Sequence, residues 1–129
     1  MNARVICYVF GITFILVGLL GFIENPLVSE TGFFAVNWLH NLVHIIAGAA
    51  FILGTRTCPG YESNVLKAMG SGGIVVTLVN FLTEGEKMLF LIQVNQADRW
   101  LHLGLAIIVL VSGFIFRDAQ TRQWKALNT

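Results

Sequence analysis

The sequence predicts an all-α membrane protein, a bundle of four transmembrane helices built from two tandem helical hairpins. Three observations carry that prediction. The 129 residues are 56% hydrophobic and 12% charged, with a mean hydropathy of +0.75, whereas soluble domains carry about a quarter charged residues. Apolar stretches recur over about 4–23, 37–54, 65–82 and 98–116, each close to the roughly 20 residues needed to cross ~30 Å of hydrocarbon at ~1.5 Å per residue. The polar cluster Asn37-Trp38-Leu39-His40-Asn41-Leu42-Val43-His44 returns 58 positions later as Asn95-Gln96-Ala97-Asp98-Arg99-Trp100-Leu101-His102. That offset divides the chain into two hairpins within a single expected domain, residues 1–129.

The first span carries no charge after Arg4 and reads as an uncleaved helix, longer than a signal-peptide core. Gly11, Phe14, Gly18 and Gly21 fall at three- and four-residue steps, so one face is small enough for a neighbouring backbone to approach. Glu24-Asn25-Pro26 ends the helix, because proline has no amide to donate and disfavours helix at the residue before it.

In the second span Asn37 is the expected N-cap, its side-chain oxygen accepting from an orphan amide of the first turn. Asn37, Asn41, His44, Gly48 and Thr55 share one face. Trp38 suits the interfacial aromatic belt. Thr57-Cys58-Pro59-Gly60 is a turn. The third span presents Gly70, Gly73, Thr77, Asn80 and Glu84 on one face, with Asn80 deep enough to need a partner.

Between Thr83 and Asp98 the apolar run Met88 to Val94 is too short to cross a bilayer and suggests an interfacial segment. Asn95 then caps the fourth span, with Asp98 three residues on in a variant of the capping box. Arg4, Arg56, Lys67, Arg117, Arg122 and Lys125 fall on one side of the bundle, against Lys87 and Arg99 on the other. The excess of cations places both termini in the cytoplasm.

A net charge of +1 without a basic run gives no footing for nucleic acid. Cys7 and Cys58 are too few for a disulfide framework and are expected as reduced structural thiols on the cytoplasmic side. The partners implied are the lipid bilayer and a homo-oligomer or another membrane protein.

Gly11-x6-Gly18-x2-Gly21-Phe22, Asn37-x2-His40-Asn41-x2-His44-x3-Gly48 and Asn95-x2-Asp98-x2-Leu101-His102 together resemble the bacterial Domain of Unknown Function 4383 family. The resemblance covers nearly the whole chain, with little matched between Thr83 and Val94. It implies a small four-span protein of the bacterial inner membrane and brings no activity with it.

All three histidines lie in the repeated cluster, and an imidazole two turns inside a membrane helix must be hydrogen bonded, hydrated or ligated. The favoured reading is structural or interaction-based and non-enzymatic: Asn37 and Asn95 cap helices, Asn41 and Asn80 serve as polar packing, and the histidines bridge spans. A second reading is a transition-metal site. His40 with His44, and Asp98 with His102, are i and i+4 pairs, so two facing helices offer three imidazoles and a carboxylate, with Glu84 a candidate addition. A third is haem or quinone, with His44 and His102 as axial ligands and room for a flat ring beside Gly48 and Ala106. A fourth is transport of protons or a small solute along Asn80, Glu84 and the histidines, in an oligomer. No nucleophile with a neighbouring base and no phosphate loop occurs, so no catalytic residue is assigned.

Overall fold

Every helix begins where a cap or a turn can satisfy its first amides. The computed structural model describes residues 2–83, 85 and 87–118; Glu84, Arg122 and Lys125, named above for the inner face and the charge distribution, lie outside them. Helix α1 spans Ala3–Leu20, with the Asn2 side chain accepting from the Val5 amide at 3.1 Å. It stops at Gly21, short of the expected Ile23. A side chain at Gly21 would run into the Asn41 carboxamide, so only glycine fits at this helix end.

The loop from Phe22 to Asn37 contains two-residue strands, β1 (Val28–Ser29) and β2 (Phe34–Ala35), paired in parallel. Helix α2 spans Trp38–Thr57 and α3 spans Glu62–Leu82. Strands β3 (Lys87–Met88) and β4 (Ile92–Gln93) form an antiparallel hairpin, followed by α4, Gln96–Ile115. All four helices are long and apolar enough to cross a membrane.

Two antiparallel helix hairpins form because glycine lets backbones touch. A Cβ at Gly48 would lie 2.5 Å from the Gly11 carbonyl oxygen, and one at Gly18 would lie 2.7 Å from the Asn41 carbonyl oxygen, so α1 and α2 are in backbone contact. A Cβ at Gly70 would lie 2.4 Å from the Leu110 nitrogen and one at Gly113 2.9 Å from the Ser63 oxygen, which closes α3 on α4 in the same way.

At the end holding residue 2 and residue 118, Ala3, Ile6, Cys7, Phe51, Leu66 and Val109 make the apolar core. The Arg4 guanidinium pairs there with the fully buried Glu62 at 2.9 Å, and the Gly60 amide donates to the other oxygen of that carboxylate at 3.1 Å. Helix α3 therefore starts at Glu62, ahead of the apolar run expected from about residue 65. Cys7 is buried and Cys58 exposed, both as free thiols.

The burial pattern is that of a protein solvated by lipid. Leu16, Leu53, Val75 and Phe114 are exposed, while Thr55, Thr77, Asn80, Asp98 and Ser112 are buried. Thr55, Thr77 and Ser112 each donate to the carbonyl four residues back at 2.7–2.8 Å, which satisfies their hydroxyls within one helix. This is a multi-pass membrane protein.

Candidate metal centre

The cluster is built at the loop end of the bundle, where α2 and α4 begin. Asn37 and Asn95 both adopt extended backbone and accept from the amide three residues on, His40 at 3.0 Å and Asp98 at 2.9 Å. Capping fixes the rotation of each first turn, so His40 and His44 on α2 and Asp98 and His102 on α4 leave their helices toward one another. The carboxamide nitrogens are also used: Asn37 donates to the Leu91 oxygen at 2.7 Å and Asn95 to the Phe33 oxygen at 2.8 Å. Each cap thus holds down the loop of the opposite hairpin.

Three imidazoles meet beneath those loops. His44 Nε2 is 3.1 Å from His40 Nε2 and 3.2 Å from His102 Nε2. The far nitrogens of the two outer rings are committed: His40 Nδ1 lies 2.6 Å from the Gln93 carbonyl oxygen and His102 Nδ1 lies 2.9 Å from the Asp98 carbonyl oxygen. A carbonyl only accepts, so both Nδ1 atoms carry a proton and donate. In the neutral rings both Nε2 atoms then present lone pairs, and both are directed at His44 Nε2.

The Asp98 carboxylate completes the group. Its Oδ1 is 3.3 Å from His102 Nδ1 and its Oδ2 is 3.8 Å from His40 Nε2. Among the described residues, Oδ2 and His44 Nδ1 are buried without a hydrogen-bond partner. His40, His44 and Asp98 are buried, and His102 is intermediate. The ring of His44 stacks on Phe14 of α1 with centroids 5.2 Å apart, which holds it in place from the side away from α4.

These four residues are the ones singled out by the repeated spacing, and the fold brings all four together. The other polar residues separate from them. Asn41 is buried against Gly18 of α1 and Gly21 just beyond its end, and Asn80 of α3 lines an apolar cavity. Gly48, expected to leave room for a flat ring, is filled by the α1 backbone, and Ala106 packs against Gly73. With His44 and His102 in direct contact at Nε2, no macrocycle fits between them, so the residues do not suit bis-histidine haem.

Gln93 is the participant that sequence reasoning passed over. Its backbone oxygen orients His40 from within the hairpin that reads as an apolar interfacial run; Met88 and Val94 of that run are buried, whereas Leu89, Phe90 and Leu91 at its tip are exposed. The offset of 58 laid over the first loop, which places Phe34-Ala35 on Ile92-Gln93, was the signal available.

The family model for a domain of unknown function, DUF4383, matches residues 4–115. The chain belongs to that family. The matched DUF4383 region includes every residue of the cluster and all of α2, α3 and α4. No curated protein and no solved structure matches the chain.

Proposed function

We propose that the protein is a metal-binding membrane protein, with His40, His44 and His102 supplying three imidazole ligands and Asp98 a carboxylate. The convergence of the three Nε2 atoms carries this reading. A proton on His44 Nε2 satisfies one of the two lone pairs facing it and leaves the other against an N–H already engaged. An ion seated between the three Nε2 atoms, which all lie within 4.8 Å of one another, would take a lone pair from each.

The spacing agrees with that role. Zinc–nitrogen bonds of about 2.0–2.1 Å in tetrahedral geometry put ligand nitrogens roughly 3.3 Å apart, close to the 3.1 and 3.2 Å between the rings here. The Nδ1–H groups held by carbonyl oxygens are the outer contacts that ligating histidines ordinarily make. Imidazole and carboxylate donors suit zinc, iron, copper or nickel. The three histidines form the compact set, their ligand atoms all within 4.8 Å of one another, and the Asp98 carboxylate stands beside it, 3.8 Å from His40 Nε2.

The competing reading keeps the same contacts as hydrogen-bonded glue between spans. Elemental analysis of purified protein separates the two. The expected result is about one transition-metal ion per chain, absent from His44→Ala protein that still unfolds cooperatively. Failure to retain zinc, iron or copper after reconstitution with each would sink the proposal.

We infer further that the two hairpins are a parallel repeat about an axis along the membrane normal, with both termini cytoplasmic in a bacterial inner membrane. Reciprocal contacts 58 residues apart, between Asn37 and Asn95 and their opposite loops, support the repeat. Arg4, Arg56, Lys67 and Arg117 at the terminal end support the orientation.

A further inference from the structure

Beside the histidines the bundle contains a cavity of about 300 Å³ between α2, α3 and α4. Phe14, Phe51 and Met69 are among the residues that line it. Val43 of α2 and Gly72 and Val76 of α3 also line it and are themselves exposed, so the cavity opens sideways, between two helices, toward lipid. A Cβ at Gly72 would meet nothing within 4 Å.

The wall is almost wholly apolar, with three exceptions. The three imidazoles lie along it, as do Thr77, whose hydroxyl proton is already given to the Gly73 carbonyl, and Asn80. Asn80 is 4% exposed, and its Oδ1 is buried without a hydrogen-bond partner among the described residues. An amide left so in a lipid-surrounded bundle is costly unless something supplies the missing bond. Lipid acyl chains have no group to offer it, and a hydroxyl does.

We propose that this cavity binds a hydroxylated aromatic molecule of the phenol or quinol class, entering from the bilayer, with its hydroxyl hydrogen bonded to Asn80. Size supports a ring system of about two rings, since an apolar cavity of roughly 150 Å³ accepts a single benzene. Aromatic and thioether surfaces of Phe14, Phe51 and Met69 in the wall offer the faces that a flat ring packs against. An apolar pocket with one or two placed polar groups is the usual form of a small-molecule site. The cavity and Asn80 do not depend on an ion at the histidines, so this inference stands or falls separately from the metal reading.

Binding of 1-naphthol and of 1-methoxynaphthalene to the full chain in detergent, measured by isothermal titration, tests the proposal. The ether has the same rings but cannot donate. A saturable 1:1 isotherm is expected for 1-naphthol, with the ether at least tenfold weaker, about 1.4 kcal/mol. Asn80→Leu should bring the two ligands to equal affinity while leaving the metal content as in wild type. Gly72→Phe, whose side chain has open space to enter, should abolish binding of both, and Ala47→Phe serves if that variant does not fold. Equal affinity of the wild type for both ligands, non-saturable partitioning, or unchanged binding in the plugged variant would overturn it, the first two being the behaviour of a groove for acyl chains.

Discussion

Asn37 and Asn95, 58 residues apart, perform the same two tasks in opposite directions. Each caps its own helix through Oδ1 and ties down the other hairpin's loop through Nδ2, Asn37 to Leu91 at 2.7 Å and Asn95 to Phe33 at 2.8 Å. The two tasks separate by substitution. Asn37→Ser keeps a capping oxygen and removes the long-range donor, whereas Asn37→Ala removes both. Loss of a cap costs about 1 kcal/mol, and the exposed inter-loop bond about another 0.5–1 kcal/mol. Thermal unfolding in detergent should therefore rank wild type above the serine variant and the serine variant above alanine, with the same order at Asn95. Equal stability of the serine and alanine variants would show that the inter-loop bond alone matters.

The pairing of Arg4 with Glu62 should be the strongest polar link at the terminal end. Glu62 is wholly buried, accepts from Arg4 and from the Gly60 amide, and its carbonyl oxygen accepts from the Cys7 thiol at 3.4 Å. Removing one partner from a buried pair costs about 3–5 kcal/mol, but the Arg4 side chain is 43% exposed, and water screens what remains. Arg4→Gln is expected to cost about 1–3 kcal/mol, and Arg4→Gln with Glu62→Gln less than the sum of the two single changes. Additive losses in a double-mutant cycle would mean that the two side chains are not coupled.

This ion pair also shows what was legible in the sequence and what was not. The offset of 58 that aligns the histidine clusters lays Arg4 over Glu62, and a two-fold repeat sets equivalent residues across the bundle from one another, so the pair was implicit in the offset. The helices were legible because apolar length is a one-dimensional property, and the caps because asparagine before an apolar run has a local reason to be there. The hairpin over β3 and β4 was not. Its three-residue tip places Leu89 and Phe90 at φ of 50° and 64°, a left-handed conformation that neither residue type signals. The convergence of three Nε2 atoms was also hidden, since it depends on side-chain rotation and on the Gln93 carbonyl, and spacing alone reports only that four residues share two helix faces.

Glycines divide by what their missing side chains would touch. At Gly70 a Cβ would sit 2.4 Å from the Leu110 nitrogen and 2.6 Å from its Cα, so α3 and α4 must move apart to accept it. At Gly104 a Cβ meets nothing within 4 Å. Gly70→Ala should destabilise the fold by about 1–3 kcal/mol, the range for overpacking a well-packed contact. Gly104→Ala should be neutral or stabilising by up to ~1 kcal/mol through helix propensity. Unfolding of the two variants in one detergent gives the comparison, and a Gly70→Ala protein as stable as wild type would refute backbone contact at that crossing.

Asp98 is where stability and ion binding should pull in opposite directions. Its Oδ2 is buried without a partner among the described residues and stands 3.8 Å from His40 Nε2, while its backbone oxygen holds His102 Nδ1 at 2.9 Å. Asp98→Asn preserves the backbone contact and the size of the side chain but removes the charge. Without metal, a buried carboxylate lacking a full set of partners is a cost to the fold, so the asparagine variant is expected to be at least as stable as wild type. With zinc present at about 100 times the wild-type dissociation constant, binding stabilises the wild-type fold by ~2.7 kcal/mol. A tenfold weaker site in the variant would retain about 1.4 kcal/mol of that. The measurement is the difference in unfolding with and without zinc for each protein. A smaller zinc-dependent gain in Asp98→Asn, together with undiminished stability in chelator, is the outcome expected of a ligand; a loss of stability in chelator and no zinc effect in either protein is the outcome of structural glue.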